Sequence, residues 1–174
     1  MINKIDIEDY RNILKEMAES DQKMRKDFRD GKIKWNKKID KINSSKIKKI
    51  ILEIGWPSAK KVGAMCEKYA WLVVQHSPDQ LFQKDSLLLM KKESGNKKLT
   101  AYLEDRIRIS EGRKQLYGTQ FYIGTSGELE PRPIYNLKKL SYRRKSVGLG
   151  SFNEYYKKIR RSFRKNSLYK KNKK

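Results

Sequence analysis

Apolar residues recur three and four positions apart through most of this chain, the spacing that lines one face of an α-helix. From about Ile5 to Phe28 the stripe is Ile5, Tyr10, Ile13, Leu14, Met17, Met24 and Phe28, and Asp30-Gly31 marks its stop. From about Trp35 to Ile54 it is Ile39, Ile42, Ile47, Ile50, Ile51 and Ile54, with Gly55 suited to the carboxyl cap and Pro57 barring continuation. Three more helices are predicted: about Ala59 to His76 behind a Ser58 cap, about Asp79 to Lys92 after Ser77-Pro78, and about Lys98 to Glu111 after the turn Ser94-Gly95-Asn96.

The pattern then changes. Residues 115–134 are rich in Gly, Thr, Tyr and Phe, and Tyr117 to Ile123 followed by Glu128 to Tyr135 reads as a β-hairpin about Thr125-Ser126-Gly127. Two short helices are predicted at about Leu137 to Lys145 and Ser151 to Arg164. From Arg160 onward Arg and Lys dominate, with little apolar periodicity after Phe163, which predicts a mobile basic arm. The expected fold is mainly α: a compact bundle of about five helices, a small hairpin and two short C-terminal helices. It forms one globular domain over residues 1–156, with a basic extension over 157–174.

Certain polar residues interrupt the apolar stripes on the buried side. Asp21 follows Leu14 and Met17; Asn43 lies four residues from both Ile39 and Ile47; His76 lies four after Leu72 and seven after Tyr69; Arg106 lies four after Tyr102. A buried charge costs several kcal/mol, roughly, unless partners satisfy it. The four are therefore expected to share one internal site, flanked by Gln22, Arg25, Asp40, Gln75 and Asp105. An acid, an imidazole, a guanidinium and an amide together can bind an anionic group and move a proton. In this reading His76 is the acid/base, Asp21 or Asp105 orients it, and Arg106 holds a carboxylate or phosphate, with Asn43, Gln75 and Arg25 as further ligand-binding groups. The competing reading is a polar network that only pins helices together.

Charge changes the picture of partners. The chain has 174 residues, with 43 Lys and Arg against 20 Asp and Glu, a formal charge of +23. Such a field attracts phosphate polymers, anionic surfaces and acidic proteins. Lysine dominates, which favours phosphate attraction over base-specific reading. The basic residues near the carboxyl end, Arg160, Arg161, Arg164, Lys165, Lys170 and Lys171, interleave with Phe163 and Tyr169 as nucleic-acid-binding residues do. An A+T-rich coding sequence is the bland source of the same lysines. Ten Tyr, three Trp and five Phe argue for a folded core.

Several chemistries find no support in the residue pattern. Cys66 is the one cysteine, so an intrachain disulfide and a thiolate cluster are excluded, and a reducing cytoplasm is the expected setting. One His among scattered carboxylates is a poor metal signature, and no metal site is expected. The G-x-x-x-x-G-K-[ST] and G-x-S-x-G patterns are missing, and no residue pattern names a cofactor. Met1 to Asp6 has no apolar signal core, and the longest apolar run, Ala70 to Val74, is too short to cross a bilayer.

A series of uncommon blocks resembles an uncharacterised bacterial domain family, a domain of unknown function. The blocks are Asp21-Gln22 with Arg25, Asp40 with Asn43, Gly55-Trp56-Pro57, Trp71 with Gln75-His76, Tyr102-Leu103 with Asp105-Arg106, and Gln115 with Tyr117-Gly118-Thr119-Gln120. Pro133-Ile134, Arg143 or Arg144, Val147-Gly148-Leu149 and Tyr155 extend the likeness, which covers about Met17 to Tyr156. The resemblance implies no substrate, cofactor or catalytic residue. It implies that the blocks belong to one pattern. By its own chemistry, an aromatic beside donors, acceptors and a permissive Gly118, the Tyr117 to Gln120 block reads as a lid or ligand-reading edge or as a buried hairpin anchor. Three functions remain from the sequence: a small enzyme or ligand-binding domain for an anionic ligand, a basic RNA- or DNA-binding protein, and an interaction or immunity-type protein that neutralises an acidic partner.

Overall fold

The computed structural model describes residues 6–165, in which helix predominates. Among them are eight α-helices and one two-stranded antiparallel hairpin. The chain forms two compact units, the first from residues 1–26 and 35–96, the second from 27–34 and 97–174. Among the described residues no helix is long and apolar enough to cross a membrane.

Helix α1 is Ile7–Arg29, with Glu8 and Asp9 in its first turn, where the helix dipole favours acid. Its buried stripe is Tyr10, Leu14, Met17, Ala18, Asp21 and Met24, so Asp21 lies among the core residues. Helix α2, Lys37–Ile54, starts where the Asn36 side chain accepts from the Lys38 amide and ends at Gly55 with φ +71°. The predicted third helix is broken in two. Gly63 at φ +87° closes α3 (Ala59–Val62) and opens α4 (Ala64–His76). A stripe of apolar residues is blind to such a break, because the register of the face survives it. Helix α5, Gln80–Glu93, is capped by Asp79, whose carboxylate accepts from the Phe82 amide. The core of this unit includes Leu14, Met17, Ile47, Trp56, Val62, Ala70, Val74 and Met90.

In the second unit, helix α6 is Lys97–Ser110, burying Leu99, Ala101, Leu103, Asp105 and Ile107. Strands β1 (Phe121–Ile123) and β2 (Leu129–Pro131) pair as Phe121 with Pro131, Tyr122 with Glu130 and Ile123 with Leu129. The hairpin is shorter than its sequence pattern, because residues 115–120 form a loop in which Gln115 bridges by backbone to the 133–135 segment while the Asp105 and Gln115 side chains hold the peptide groups between. A 3-10 turn at Leu137–Lys139 leads into α7 (Leu140–Ser146), and α8 is Phe152–Arg164. Arg160, Arg161 and Arg164 lie on α8, within the helix expected over about Ser151 to Arg164, so the arm expected from Arg160 does not begin before Lys165; Lys170 and Lys171 lie outside the described residues.

Gly118 has φ +69°, and a Cβ there would meet Phe152 Cε2 at 2.7 Å and Cδ2 at 2.8 Å. Backbone strain and the clash act together, so Gly118→Ala is expected to lower stability by about 3 kcal/mol. Urea unfolding measures this, and a loss below about 1 kcal/mol would show that Phe152 moves aside freely.

Candidate functional site: a buried acid and the lone histidine

Asp21 on α1 and His76, the last residue of α4, meet in the first unit. His76 Nδ1 is 2.9 Å from Asp21 Oδ1 and 3.0 Å from Oδ2. Arg25, one helical turn beyond Asp21, places Nε 3.0 Å from Asp21 Oδ1 and 3.0 Å from His76 Nδ1. Its Nη2 donates to Asp40 Oδ1 at 2.7 Å, and its guanidinium lies over the Trp35 ring at 4.8 Å. Gln22 Nε2 donates to Asp21 Oδ2 at 2.7 Å.

One hydrogen on each nitrogen limits how these distances can be bonds. Burial pushes the Asp21 carboxyl up, but the His76 hydrogen bond, its charge and the Arg25 guanidinium outweigh this and hold it below the usual range. An ionised Asp21 beside an Nδ1 lone pair would be repulsive. The coherent assignment gives Nδ1 the proton, donated to Asp21, with the Arg25 Nε hydrogen also directed at Asp21 Oδ1. The ring nitrogen carrying the lone pair in neutral His76 is then Nε2. Asp40 moves the other way: burial raises its carboxyl, Arg25 pulls it down, and the Asp21 charge adds to the rise.

The side-chain exposures grade the cluster. Asp21 keeps 2% of its surface, His76 15% and Arg25 18%. An enclosed acid therefore stands behind an imidazole and a guanidinium that both still reach solvent.

Neighbouring residues hold the backbone beneath this cluster. The two Gln83 Nε2 hydrogens are shared among the carbonyls of Val74, Gln75 and Ser77, which helps satisfy the end of α4 just where His76 sits. Ser77 Oγ meets Ser44 Oγ of α2 at 2.7 Å. Asn43 donates to the Met17 carbonyl at 3.1 Å, tying α2 to α1 one turn before Asp21. These contacts give Asn43 a positioning task. Gln75 is buried, and its carbonyl is one of the groups Gln83 holds. Trp35 and Gln83 escaped sequence reasoning: Trp35 precedes its helix, and Gln83 works through backbone carbonyls that periodicity does not reveal.

Asp105, Arg106, Tyr117 and Gln120 belong to the second unit. Both neighbours on α6 reach inward: Asp105 is fully enclosed, at 0% exposure, and Arg106 is half-buried with its Nε enclosed. Asp105 accepts from the amides of Leu116, Tyr117 and Thr119 and from Thr119 Oγ1. Its carboxyl is nonetheless raised by burial, against the pull of those donors. From the other side Arg143 Nε donates to the Leu116 carbonyl at 2.7 Å, and Arg144 Nη1 to the Tyr117 carbonyl at 2.6 Å. Arg144 itself is buried over the Tyr155 ring at 5.0 Å. Gln115, also enclosed, ties the Gln120 amide and carbonyl to the Arg132 carbonyl. The Tyr117-Gly118-Thr119-Gln120 block is thus a loop whose peptide groups are gripped on both edges. Asp21, one of the two acids considered for orienting His76, is in contact with it.

Among the described residues no three His, Cys, Asp or Glu side chains converge as metal ligands do. The model of a family described as a family of unknown function, DUF6624, matches residues 8–166. The chain belongs to that family. The match spans both clusters and reaches beyond Arg160, Arg161, Arg164 and Lys165. No curated protein and no solved structure matches the chain.

Proposed function

We propose that the first unit is an acid/base site for a small anionic ligand, with His76 moving the proton, Asp21 holding the ring and Arg25 facing the anion. The Asp21–His76 contact carries this reading: an enclosed carboxylate 2.9 Å from Nδ1 of a ring that still reaches solvent. Such a carboxylate fixes the tautomer and leaves the basic lone pair on the opposite nitrogen, the arrangement used for proton transfer. Asp40 and Trp35 hold the Arg25 guanidinium in place, so little side-chain freedom is lost when an anion arrives. The chain's charge of +23 favours anions over cations at any opening. A reducing cytoplasm suits a chain with Cys66 as its one cysteine.

Because His76 is the only histidine, its ring signals in a nitrogen-detected NMR correlation need no assignment. The expected neutral tautomer carries the proton on Nδ1. Adding inorganic phosphate or acetate should shift those signals saturably, and Asp21→Asn should abolish the response. His76→Gln should remove anion-dependent thermal stabilisation while changing stability by only about 1 kcal/mol. A proton found on Nε2, with signals indifferent to both anions, would sink the proposal.

A further inference from the structure

The positive charge is unevenly placed. The second unit contains 25 Lys and Arg against 8 Asp and Glu, whereas the first contains 18 against 12. Between residues 131 and 165 there are twelve basic residues and one acid, Glu154. On α8 and its C-cap the cations Lys157, Arg160, Arg161, Arg164 and Lys165 line a hollow of ≈ 410 Å³ with Tyr156.

Helical geometry makes this stripe unfavourable on its own. Lys157, Arg161 and Lys165 follow one another at four-residue steps, about 6 Å apart along the axis. Like charges at that spacing destabilise an isolated helix by about 0.2–0.5 kcal/mol per pair. Glu128 relieves part of the strip, accepting from Arg160 at 3.3 Å and from Arg164 at 3.0 Å. Among the described residues, Lys157, Arg161 and Lys165 have no acidic partner.

We infer that this face of α8 binds nucleic acid through its phosphate backbone, without reading sequence. An amphipathic basic helix also suits an anionic membrane, but here the apolar side is already occupied. Tyr155 and Tyr156 pack on Phe121, Tyr156 stacks on Phe152, and Tyr155 meets Tyr102. That leaves the cationic face, with little apolar surface to enter lipid. Base stacking is closed off in the same way, since Phe121, Phe152 and the Arg160 guanidinium surround the Tyr156 ring. Phosphates are the groups that a row of lysines and arginines can still engage, and neutralising them releases counterions.

The test is fluorescence anisotropy on the full chain with labelled oligouridylate, oligothymidylate and a mixed duplex, across a salt series. All three are expected to bind, and single strands should weaken with salt by about −0.7 in log–log slope per phosphate contact. Lys157→Gln, Arg161→Gln and Lys165→Gln combined should flatten the single-strand slope by about 2. A control removing equal charge from exposed residues of the first unit, Lys46, Lys49 and Lys60 to Gln, should leave the slope unchanged. Equal effects of the two triple variants would reduce the face to general charge and overturn the inference. So would failure to bind at low salt, or tighter binding to phosphatidylserine vesicles that the α8 variant abolishes. None of these outcomes depends on His76, so the two proposals fail separately.

Discussion

Replacing Asp105 with Ala is expected to lower stability by about 4 kcal/mol, the largest effect of any single side chain discussed. The carboxylate is fully enclosed and accepts from three amides and one hydroxyl, all contributed by residues 116–119. Removing it leaves those donors without an acceptor in a place water does not reach, and each such group costs about 1–3 kcal/mol before relaxation. Thr119 Oγ1 can turn elsewhere; the amides cannot, because Arg143 and Arg144 hold the carbonyls beside them. Asp105→Asn should fall between, since its oxygen can still receive the Leu116 amide while its NH2 opposes the remaining donors. Urea unfolding of the two variants gives the order. A loss below about 1 kcal/mol for the alanine, with the loop's amides still protected from hydrogen exchange, would show that the loop closes without the acid.

Asp21→Ala is expected to cost about 3 kcal/mol and to disable the proposed site together. This figure sits at the low end of the range for breaking a buried pair, because Arg25 and His76 both keep some contact with water. The pH dependence has a definite sign. The Asp21 carboxyl lies below its ordinary value in the folded protein, so its contribution is complete above the unfolded carboxyl value and is lost as pH falls through the folded one. Asp40 and Asp105 are raised, so each adds stability on the acid side and gives it up as pH rises through its folded value. The two windows lie on opposite sides of the unfolded carboxyl value, about pH 4: Asp21 acts below it, Asp40 and Asp105 above it. Asp21→Asn should therefore flatten the acid limb of the stability curve; an unchanged limb would remove Asp21 as the group responsible.

The helices were legible because each buries one stripe, and an apolar residue every third or fourth position reports that stripe directly. The break at Gly63 was not legible, since Val62 and Val73 lie on the buried side on both sides of it. Asp21, Asn43 and His76 could be found by the same reasoning, as polar residues where the stripe demands apolar ones. Asp105 and Arg106 show where the method loses resolution. Adjacent residues on a helix differ by about 100° in direction, so a wide buried face admits either. The bonds inside the Tyr117 loop follow no period at all. They run from side chains to peptide groups, and only coordinates reveal which carbonyl or amide a long side chain reaches. The last helix was legible too, because Phe152, Tyr155, Tyr156, Ile159 and Phe163 keep helical spacing among the Arg and Lys.

The grip on residues 116 and 117 has a consequence for variation and design. Asp105, Arg143 and Arg144 hold the peptide groups of Leu116 and Tyr117, which every residue but proline supplies in full. Those two side chains are therefore free to be rewritten, within the limits of their own packing, without undoing the loop. Gly118 has no such latitude, and Thr119 has little. A library built on this segment should randomise its first two letters and leave the next two alone.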